Sequence, residues 1–243
     1  MGAMRRGLEI AAGSLESALA AQDGGADRVE LCGTLEEGGT TPSFGMLAVA
    51  RERLQIALHV LIRPRGGDFV YSPLEHDSML RDVALCARVG VDGVVIGALD
   101  ADGGIDMPGC RALVDAAGAM QVTFHRAFDC VADRATALEQ VLALGCTRIL
   151  TSGGAGDALA GARVIATDVL RAEGRIAVMA GAGLTPDNIG AVMRASGADE
   201  FHASARAFQP GLGREGPSGL ARGYWRTHAE VVRALRRALD ATP

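Results

Sequence analysis

The chain has 243 residues, 49% of them hydrophobic and only 4% aromatic, and its formal net charge is −5. This length suits one large α/β domain with a substantial core. The negative charge argues against nucleic acid and anionic membranes as partners, and the scarcity of aromatic rings argues against a stacking platform for single-stranded nucleic acid. No apolar run approaches a membrane span and no signal region is evident, so we expect no membrane association and a cytoplasmic location.

The cysteines point to a reducing compartment. They are odd in number, widely dispersed and contain no CxxC pair: Cys32, Cys86, Cys110, Cys130 and Cys146. Such a pattern fits neither a disulfide framework nor a closed zinc site. We expect most of them to be buried thiols.

Short apolar runs alternate along the chain with longer amphipathic segments. Strands are predicted over 8–12, 28–32, 56–62, 93–97, 121–125, 148–151, 176–180 and 200–203. Helices are predicted over 14–22, 43–53, 74–89, 107–117, 134–144, 158–172, 186–195 and 224–239. Eight strands alternating with eight helices predict an α/β fold, a single-domain (β/α)₈ TIM barrel over 1–243. Residues 209–223 are predicted to form an irregular loop before the last helix. A doubly wound open sheet is the alternative, but it would require several of these strands to be absent.

Ligands of a parallel barrel bind at the C-terminal ends of its strands. The third strand ends in Arg63-Pro64-Arg65, followed by two glycines. Guanidinium groups are permanently charged and glycines permit close approach, so this segment indicates an anionic ligand. The alternative is that these arginines pair with loop carboxylates such as Asp68.

Four polar residues lie in or at the end of otherwise apolar strands: Glu9, Glu30, His125 and His202. An unpaired buried charge costs several kcal/mol, so such residues usually face a ligand, an ion or a counter-charge. We interpret them as candidate catalytic acid–base groups, although they could also satisfy one another inside the barrel. The residues predicted to bind the anion are Arg63, Arg65, Arg126, Asp129, Ser152, Gly181, Gly183, Ser204 and Arg206.

Standard catalytic and metal-binding motifs are absent from the sequence, including HExxH, the P-loop and the GxSxG elbow. Cys32 together with His125 or His202 could form a sparse soft-donor site for copper(I). The alternative, which we favour from the residues by themselves, is that Cys32 is a small buried hydrophobe.

Six segments in matching order and spacing resemble the CutC copper-homeostasis family. They are 27–32 (DRVELC), 37–43 (EGGTTPS), 62–69 (IRPRGGDF), 123–129 (TFHRAFD), 150–153 (LTSG) and 200–202 (EFH), and the resemblance covers about 8–206. It implies a TIM barrel, a cytosolic homodimer and a copper-binding or copper-tolerance role, in which copper(I) would be the ion bound. Family members proposed to bind copper(I) carry cysteines on strands one and two. Here the strand-one position is Ala11, which leaves Cys32 as the candidate ligand.

Two functions therefore remain open at this point. One is a copper-homeostasis protein that binds copper(I). The other is a TIM-barrel enzyme acting on a small phosphorylated or carboxylated substrate, with histidine and glutamate as acid–base groups and arginines as clamps.

Overall fold

The computed structural model describes residues 5–211 and 223–241. Its first eight strands are β1 (Gly7–Ala12), β2 (Arg28–Leu31), β3 (Ala57–Leu61), β4 (Gly93–Ile96), β5 (Gln121–Phe124), β6 (Arg148–Thr151), β7 (Ala177–Gly181) and β8 (Glu200–Ala203). They pair in parallel, each with the next, and β8 closes on β1. The predicted (β/α)₈ barrel is confirmed.

Eight α-helices accompany these strands in the described part of the chain. They are α1 (Leu15–Asp23), α2 (Phe44–Arg53), α3 (Pro73–Val89), α4 (Met107–Ala117), α5 (Arg134–Leu144), α6 (Ala162–Ala172), α7 (Ile189–Ser196) and α8 (Ala229–Asp240). Local chemistry fixes several ends. Ser72 and Glu75 form a capping box at the start of α3, and Gly90 ends that helix in the left-handed conformation. Among the described residues, no helix is both long and apolar enough to span a bilayer.

A hairpin follows the barrel where the sequence predicts loop and helix. Strand β9 (Arg206–Pro210) pairs antiparallel with β10 (Gly223–Thr227). The predicted helix over 224–239 is therefore too long at its start, because α8 begins at Ala229. Tyr224 and Trp225 are aromatic residues that suit an extended strand, and the Trp225 ring packs 5.7 Å from Phe208 across the hairpin. Of the predicted loop over 209–223, residues 212–222 lie outside the described residues.

The apolar core lies between the barrel and the surrounding helices, and the lower barrel interior is charged. Ile10, Val29 and Leu58 are fully buried on the helix-facing side of their strands. Inside the barrel, Glu200 pairs with Arg28 at 2.6 Å and with Arg148 at 2.5 Å. Because these residues lie on strands that are not neighbours, the ion pairs cross the interior and form a floor below the mouth.

Candidate functional site at the barrel mouth

A cavity of about 340 Å³ opens at the C-terminal ends of the strands. Its walls combine apolar side chains with many of the predicted site residues. The predicted residues that line it are Glu30, Arg63, His125, Arg126, Gly183, His202, Ser204 and Arg206. One space thus receives both predicted histidines, one glutamate and three arginines.

The other predicted residues lie outside this lining, for different reasons. They are Glu9, Cys32, Arg65, Asp129, Ser152 and Gly181. Glu9, Asp129 and Ser152 bond to lining residues, so they support the cavity from behind. Arg65 belongs to a different part of the surface, and Cys32 is enclosed.

Glu9 lies beneath the cavity and orients His202. The strand register places Glu9 level with Arg28 on β2 and with His202 on β8. Its carboxylate accepts a hydrogen bond from Arg28 Nε, and its Oε1 lies 2.7 Å from Nδ1 of His202. Burial disfavours the charged carboxylate, but Arg28 and His202 outweigh burial and hold the pKa of Glu9 well below its usual range. Glu9 is therefore an ion-paired support for the histidine.

Glu30 faces the cavity beside His202. The Oε2 atom of Glu30 lies 3.7 Å from Nε2 of His202. Burial raises the pKa of Glu30 to about 7, with a further contribution from Glu9, although His202 and Arg28 favour the carboxylate. For His202, burial disfavours the imidazolium, but Glu30 and Glu9 outweigh it and raise the pKa. A carboxyl group that titrates near neutral pH suits acid–base chemistry.

His125 is held in one neutral tautomer. Its Nδ1 accepts a hydrogen bond from the backbone N–H of Ala127 at 3.1 Å, which puts the ring proton on Nε2. Burial, together with the nearby charge of Arg63, lowers the pKa of His125 to about 3. Nε2 is buried and has no hydrogen-bond partner within the described ranges. His125 therefore presents a neutral donor.

Arg63 and Arg65, predicted as a pair of clamps, differ in their surroundings. Arg63 is 5% exposed, and its Nη atoms donate to the carbonyls of Glu37, Gly39 and Gly67 at 2.8–3.0 Å. No carboxylate of the described chain pairs with it.

Arg65, in contrast, lies on the outer side of the loop. It pairs with Glu75 at 2.6 Å and with Asp68 at 3.0 Å. This is the alternative outcome that the sequence left open, and it applies to Arg65 only. The sequence does not show which way Arg65 points, because β3 ends at Leu61 and Pro64 and two glycines redirect the chain.

Asp129 fixes the turn after β6 and the position of Arg126. Its carboxylate accepts hydrogen bonds from Thr151 Oγ1 at 2.5 Å, from Ser152 and from the backbone N–H of Gly154. Arg126 donates to Asp129 at 2.8 Å and to Ser152 Oγ at 3.0 Å. Asp129 and Ser152 therefore hold an arginine at the cavity wall and neutralise much of its charge.

The ends of β7 and β8 form the opposite wall. Gly181 has no room for a side chain, because a Cβ there would lie 2.5 Å from Leu150. Ala182 (φ 82°) and Ala205 (φ 48°) adopt the left-handed conformation that non-glycine residues rarely take. Such strain is concentrated at functional sites. Arg206 stacks on Trp225 at 5.1 Å while lining the cavity.

Cys32 does not fit a copper(I) site. It is 0% exposed, packs with Leu61 and Val95, and a Cβ on Gly39 would lie 3.7 Å from its Sγ. Burial raises the pKa of its thiol, which disfavours the thiolate that binds metal. The partner position on β1 is Ala11, whose register partner is Glu30 rather than Cys32. Copper(I) therefore finds a single, enclosed soft donor here.

A second group of potential ligands is Glu9, Glu30 and His202, whose donor atoms lie within 4.8 Å of one another. These oxygen and nitrogen donors suit a hard or borderline divalent ion and not copper(I). Glu9 is already bonded to Arg28 and His202. Glu9 and His202 are therefore satisfied as an ion pair, and Glu30 lies beside them at 3.7 Å from His202.

Sequence reasoning missed the apolar part of the site. Leu35, Leu61, Phe69 and Leu150 line the cavity. Phe69 ends the 62–69 segment, and its ring centroid lies 5.0 Å from that of His125 and 5.1 Å from the Arg63 guanidinium. Because Phe69 belongs to the 62–69 segment that carries the family resemblance, the sequence could have indicated it as a site residue. The leucines give no sequence signal, because any barrel strand carries such residues.

Comparison with known proteins identifies close relatives over most of the chain. A sequence model of the CutC family matches residues 7–207. A CutC family protein of Chromobacterium violaceum is 54% identical over 96% of this chain and 98% of its own length. A CutC family protein of Xanthomonas campestris pv. campestris is 55% identical over 96% of this chain and 99% of its own length.

Solved structures agree. The crystal structure of a Streptococcus agalactiae protein that is named as a CutC copper homeostasis protein superposes with a TM-score of 0.79. It is 33% identical and covers 82% of this chain and 98% of its own. An aldolase structure superposes with a TM-score of 0.63 at 18% identity over 84% of this chain and 92% of its own, a likeness that shows the barrel fold alone.

Proposed function

The chain belongs to the CutC family, and we propose that it is an enzyme that binds a small organic anion at the barrel mouth and transfers protons with Glu30 and His202. The observation that carries this proposal is Arg63. Its guanidinium lines the cavity, is 5% exposed and lacks a carboxylate partner among the described residues. A buried cation without a counter-charge is unfavourable, so an anionic ligand would supply the missing charge.

The remaining groups of the cavity support the same function. Arg206 adds positive charge to the cavity wall, which Arg126, held by Asp129, also lines. Ala182, with its left-handed backbone, and Gly183 complete this wall. Glu30 and His202 face the same space with groups suited to proton transfer. Apolar walls and a few converging polar groups are typical of a small-molecule site. The free thiols also support the proposed cytosolic location, since all five cysteines are unpaired.

We expect inorganic phosphate to raise the melting temperature of the chain, because a ligand that binds only the folded state stabilises it. Phosphate should also change the fluorescence of Trp225, the only tryptophan, which stacks on Arg206. Arg63→Met should abolish both responses. Arg65→Met is the matched control and should retain them, because Arg65 does not line the cavity. If chloride at equal ionic strength acts like phosphate, or if wild type and Arg63→Met respond alike, the proposal is wrong.

The relatives' name also motivates a role in copper homeostasis, and we propose that this chain contributes to it through the anion site. Copper(I) at Cys32 is disfavoured by the enclosed thiol and by Ala11. Competition with a copper(I) chelator under anaerobic, reducing conditions should show no tight binding by the unmodified chain. Ala11→Cys adds a second soft donor and should increase affinity. Tight binding of one copper(I) by the unmodified chain, lost in Cys32→Ser, would instead establish a copper carrier.

A further inference from the structure

Nε2 of His125 is buried beside the cavity and has no hydrogen-bond partner in the part of the chain that the structure describes. Nε of Arg63 is also buried there without a well-formed hydrogen bond, and the Tyr71 hydroxyl, likewise without one, lies beside the Arg63 side chain. A buried donor without a partner costs about 1–3 kcal/mol. His125 and Arg63 line the same cavity, so an acceptor atom of a ligand would remove this cost.

Both donors are held rigidly. The backbone N–H of Ala127 fixes the His125 ring, and three backbone carbonyls hold the Nη atoms of Arg63. The Phe69 ring centroid lies 5.0 Å from that of His125 and 5.1 Å from the guanidinium carbon of Arg63. The His125 ring also packs against Gly97, where a Cβ would lie 2.5 Å from Nδ1. The mouth therefore contains a preorganised donor corner formed by His125, Arg63 and Phe69.

The chemistry of this corner suits an oxygen that gains negative charge during a reaction. A neutral imidazole N–H next to a fixed cation polarises a carbonyl without transferring its proton. Glu30 lines the same cavity, and among the described residues its carboxylate has an ion-pair contact with His202 at 3.7 Å but no hydrogen bond, so it is available to accept a proton. Leucines 35, 61 and 150 line the space and limit water around the reacting atoms.

We infer that the substrate is a small anion with a carbonyl group, which places its carbonyl oxygen in the donor corner and a neighbouring C–H at Glu30. This inference rests on the proposed function. The Glu30 carboxylate removes the proton from carbon, and the C–H electron pair forms a carbon–carbon double bond. The carbonyl π pair moves to oxygen, and the enolate oxygen accepts a hydrogen bond from the Nε2–H of His125. Glu30 then returns the proton to the same carbon while the carbonyl re-forms, so no oxidant or further reactant is required.

Proton exchange tests this directly. The full chain is incubated in D₂O with pyruvate, or with dihydroxyacetone phosphate, and loss of the signal of the hydrogens next to the carbonyl is followed by NMR. We expect protein-dependent exchange of at least one probe. Glu30→Gln should slow it by about 100-fold or more, and His125→Leu by about 100-fold. Glu52→Gln, an exposed change on α2, should leave the rate unchanged.

The ring signals of His125 provide a measurement that does not depend on turnover or on the folding of a variant. In ¹⁵N-labelled wild-type protein, the exchanging probe should shift the Nε2–H resonance of His125, and Nδ1 should remain unprotonated. One outcome separates the two proposals: wild type responds to phosphate, Arg63→Met does not, and neither probe exchanges. The carbonyl inference is then overturned and the proposed anion site stands. Exchange that survives in Glu30→Gln also overturns it. If wild-type protein shows no response to phosphate, the proposed function is overturned.

Discussion

Two histidines share one cavity in opposite electrostatic settings. His202 lies between the carboxylates of Glu9 and Glu30, which raise its pKa against the effect of burial. His125 is buried near Arg63 and has no carboxylate partner in the described structure, so burial and that charge lower its pKa to about 3. The same space therefore contains one histidine whose protonated form is favoured by its neighbours and one that is a neutral donor. Environment, not residue identity, determines the two roles.

The low pKa of His125 predicts acid sensitivity. The ring stays neutral in the folded state, whereas the unfolded chain takes up a proton below its ordinary pKa of 6.5. His125 thus contributes stability that is complete above pH 6.5 and is lost as the pH falls toward 3. Between pH 7 and 5 this loss should be about 2 kcal/mol. Urea unfolding of wild type and His125→Gln at both pH values measures it.

The difference in the free energy of unfolding between wild type and His125→Gln is compared at pH 7 and pH 5, and its change with pH reports the titration of His125. Burial also lowers the pKa of His59, to about 4, so His59 likewise makes the protein less stable as the pH falls. A double variant that adds His59→Gln should therefore have a free energy of unfolding that depends still less on pH. A wild-type minus variant difference that is equal at pH 7 and pH 5 would show that His125 titrates normally in the folded state.

The two glycines at the ends of strand β4 leave room for histidine rings inside the barrel. Gly93 at the start of the strand and Gly97 just past its end carry no side chain, and the rings of His59 and His125 occupy the space. A Cβ would lie 2.5 Å from His59 at Gly93 and 2.4 Å from His125 at Gly97. The sequence shows two glycines four residues apart around GVVI but does not show what fills their places. Small residues at the ends of β4 thus face the large rings of His59 and His125, which lets the side chains interdigitate.

Gly97→Ala should therefore displace His125. We expect a destabilisation of about 1–3 kcal/mol from overpacking, together with loss of the Nε2–H resonance shift described above. Gly45→Ala on α2 is the matched control, because a Cβ there meets nothing within 4 Å. It should stabilise the helix slightly. Normal stability and an unchanged His125 resonance in Gly97→Ala would contradict this packing.

At the scale of the whole molecule, the homodimer implied by the family resemblance remains a prediction. A groove of about 210 Å³ between α1 and α2 is lined by Leu15, Leu19, Val49 and Leu54, and Leu19 and Val49 are exposed. Apolar patches of this kind are commonly covered by a partner. We expect the second copy to pack here.

Sedimentation at micromolar concentration should give a particle of twice the 25.0 kDa chain mass. Val49→Lys should yield the single-chain mass, because it buries a charge in the expected interface. Leu170→Lys is the control, since Leu170 on α6 is 76% exposed and lies outside this groove. A single-chain mass for the unmodified protein would rule the dimer out.

The sequence by itself determined the barrel, because each βα unit repeats the same apolar periodicity, and glycines end five of the described helices, α1, α3, α4, α5 and α7. It also located the polar strand ends, since every parallel strand of a closed barrel ends at the same mouth. Local signals failed where the chain leaves regular structure, as at Arg65 and at the hairpin formed by β9 and β10. Aromatic residues such as Trp225 fit helix and strand patterns alike until their cross-strand partner is known.

Only the tertiary structure decided the charge of each site residue and which of them meet. Glu9 and His202 are 193 positions apart, and they bond because the barrel closes β8 onto β1. Arg63 has no carboxylate partner in the described ranges, whereas Arg65 is paired with Glu75, although only Pro64 separates the two arginines. Burial and pairing energies depend on neighbours that the fold supplies from distant strands. Proton affinities and ligand chemistry at this mouth are therefore properties of the closed barrel.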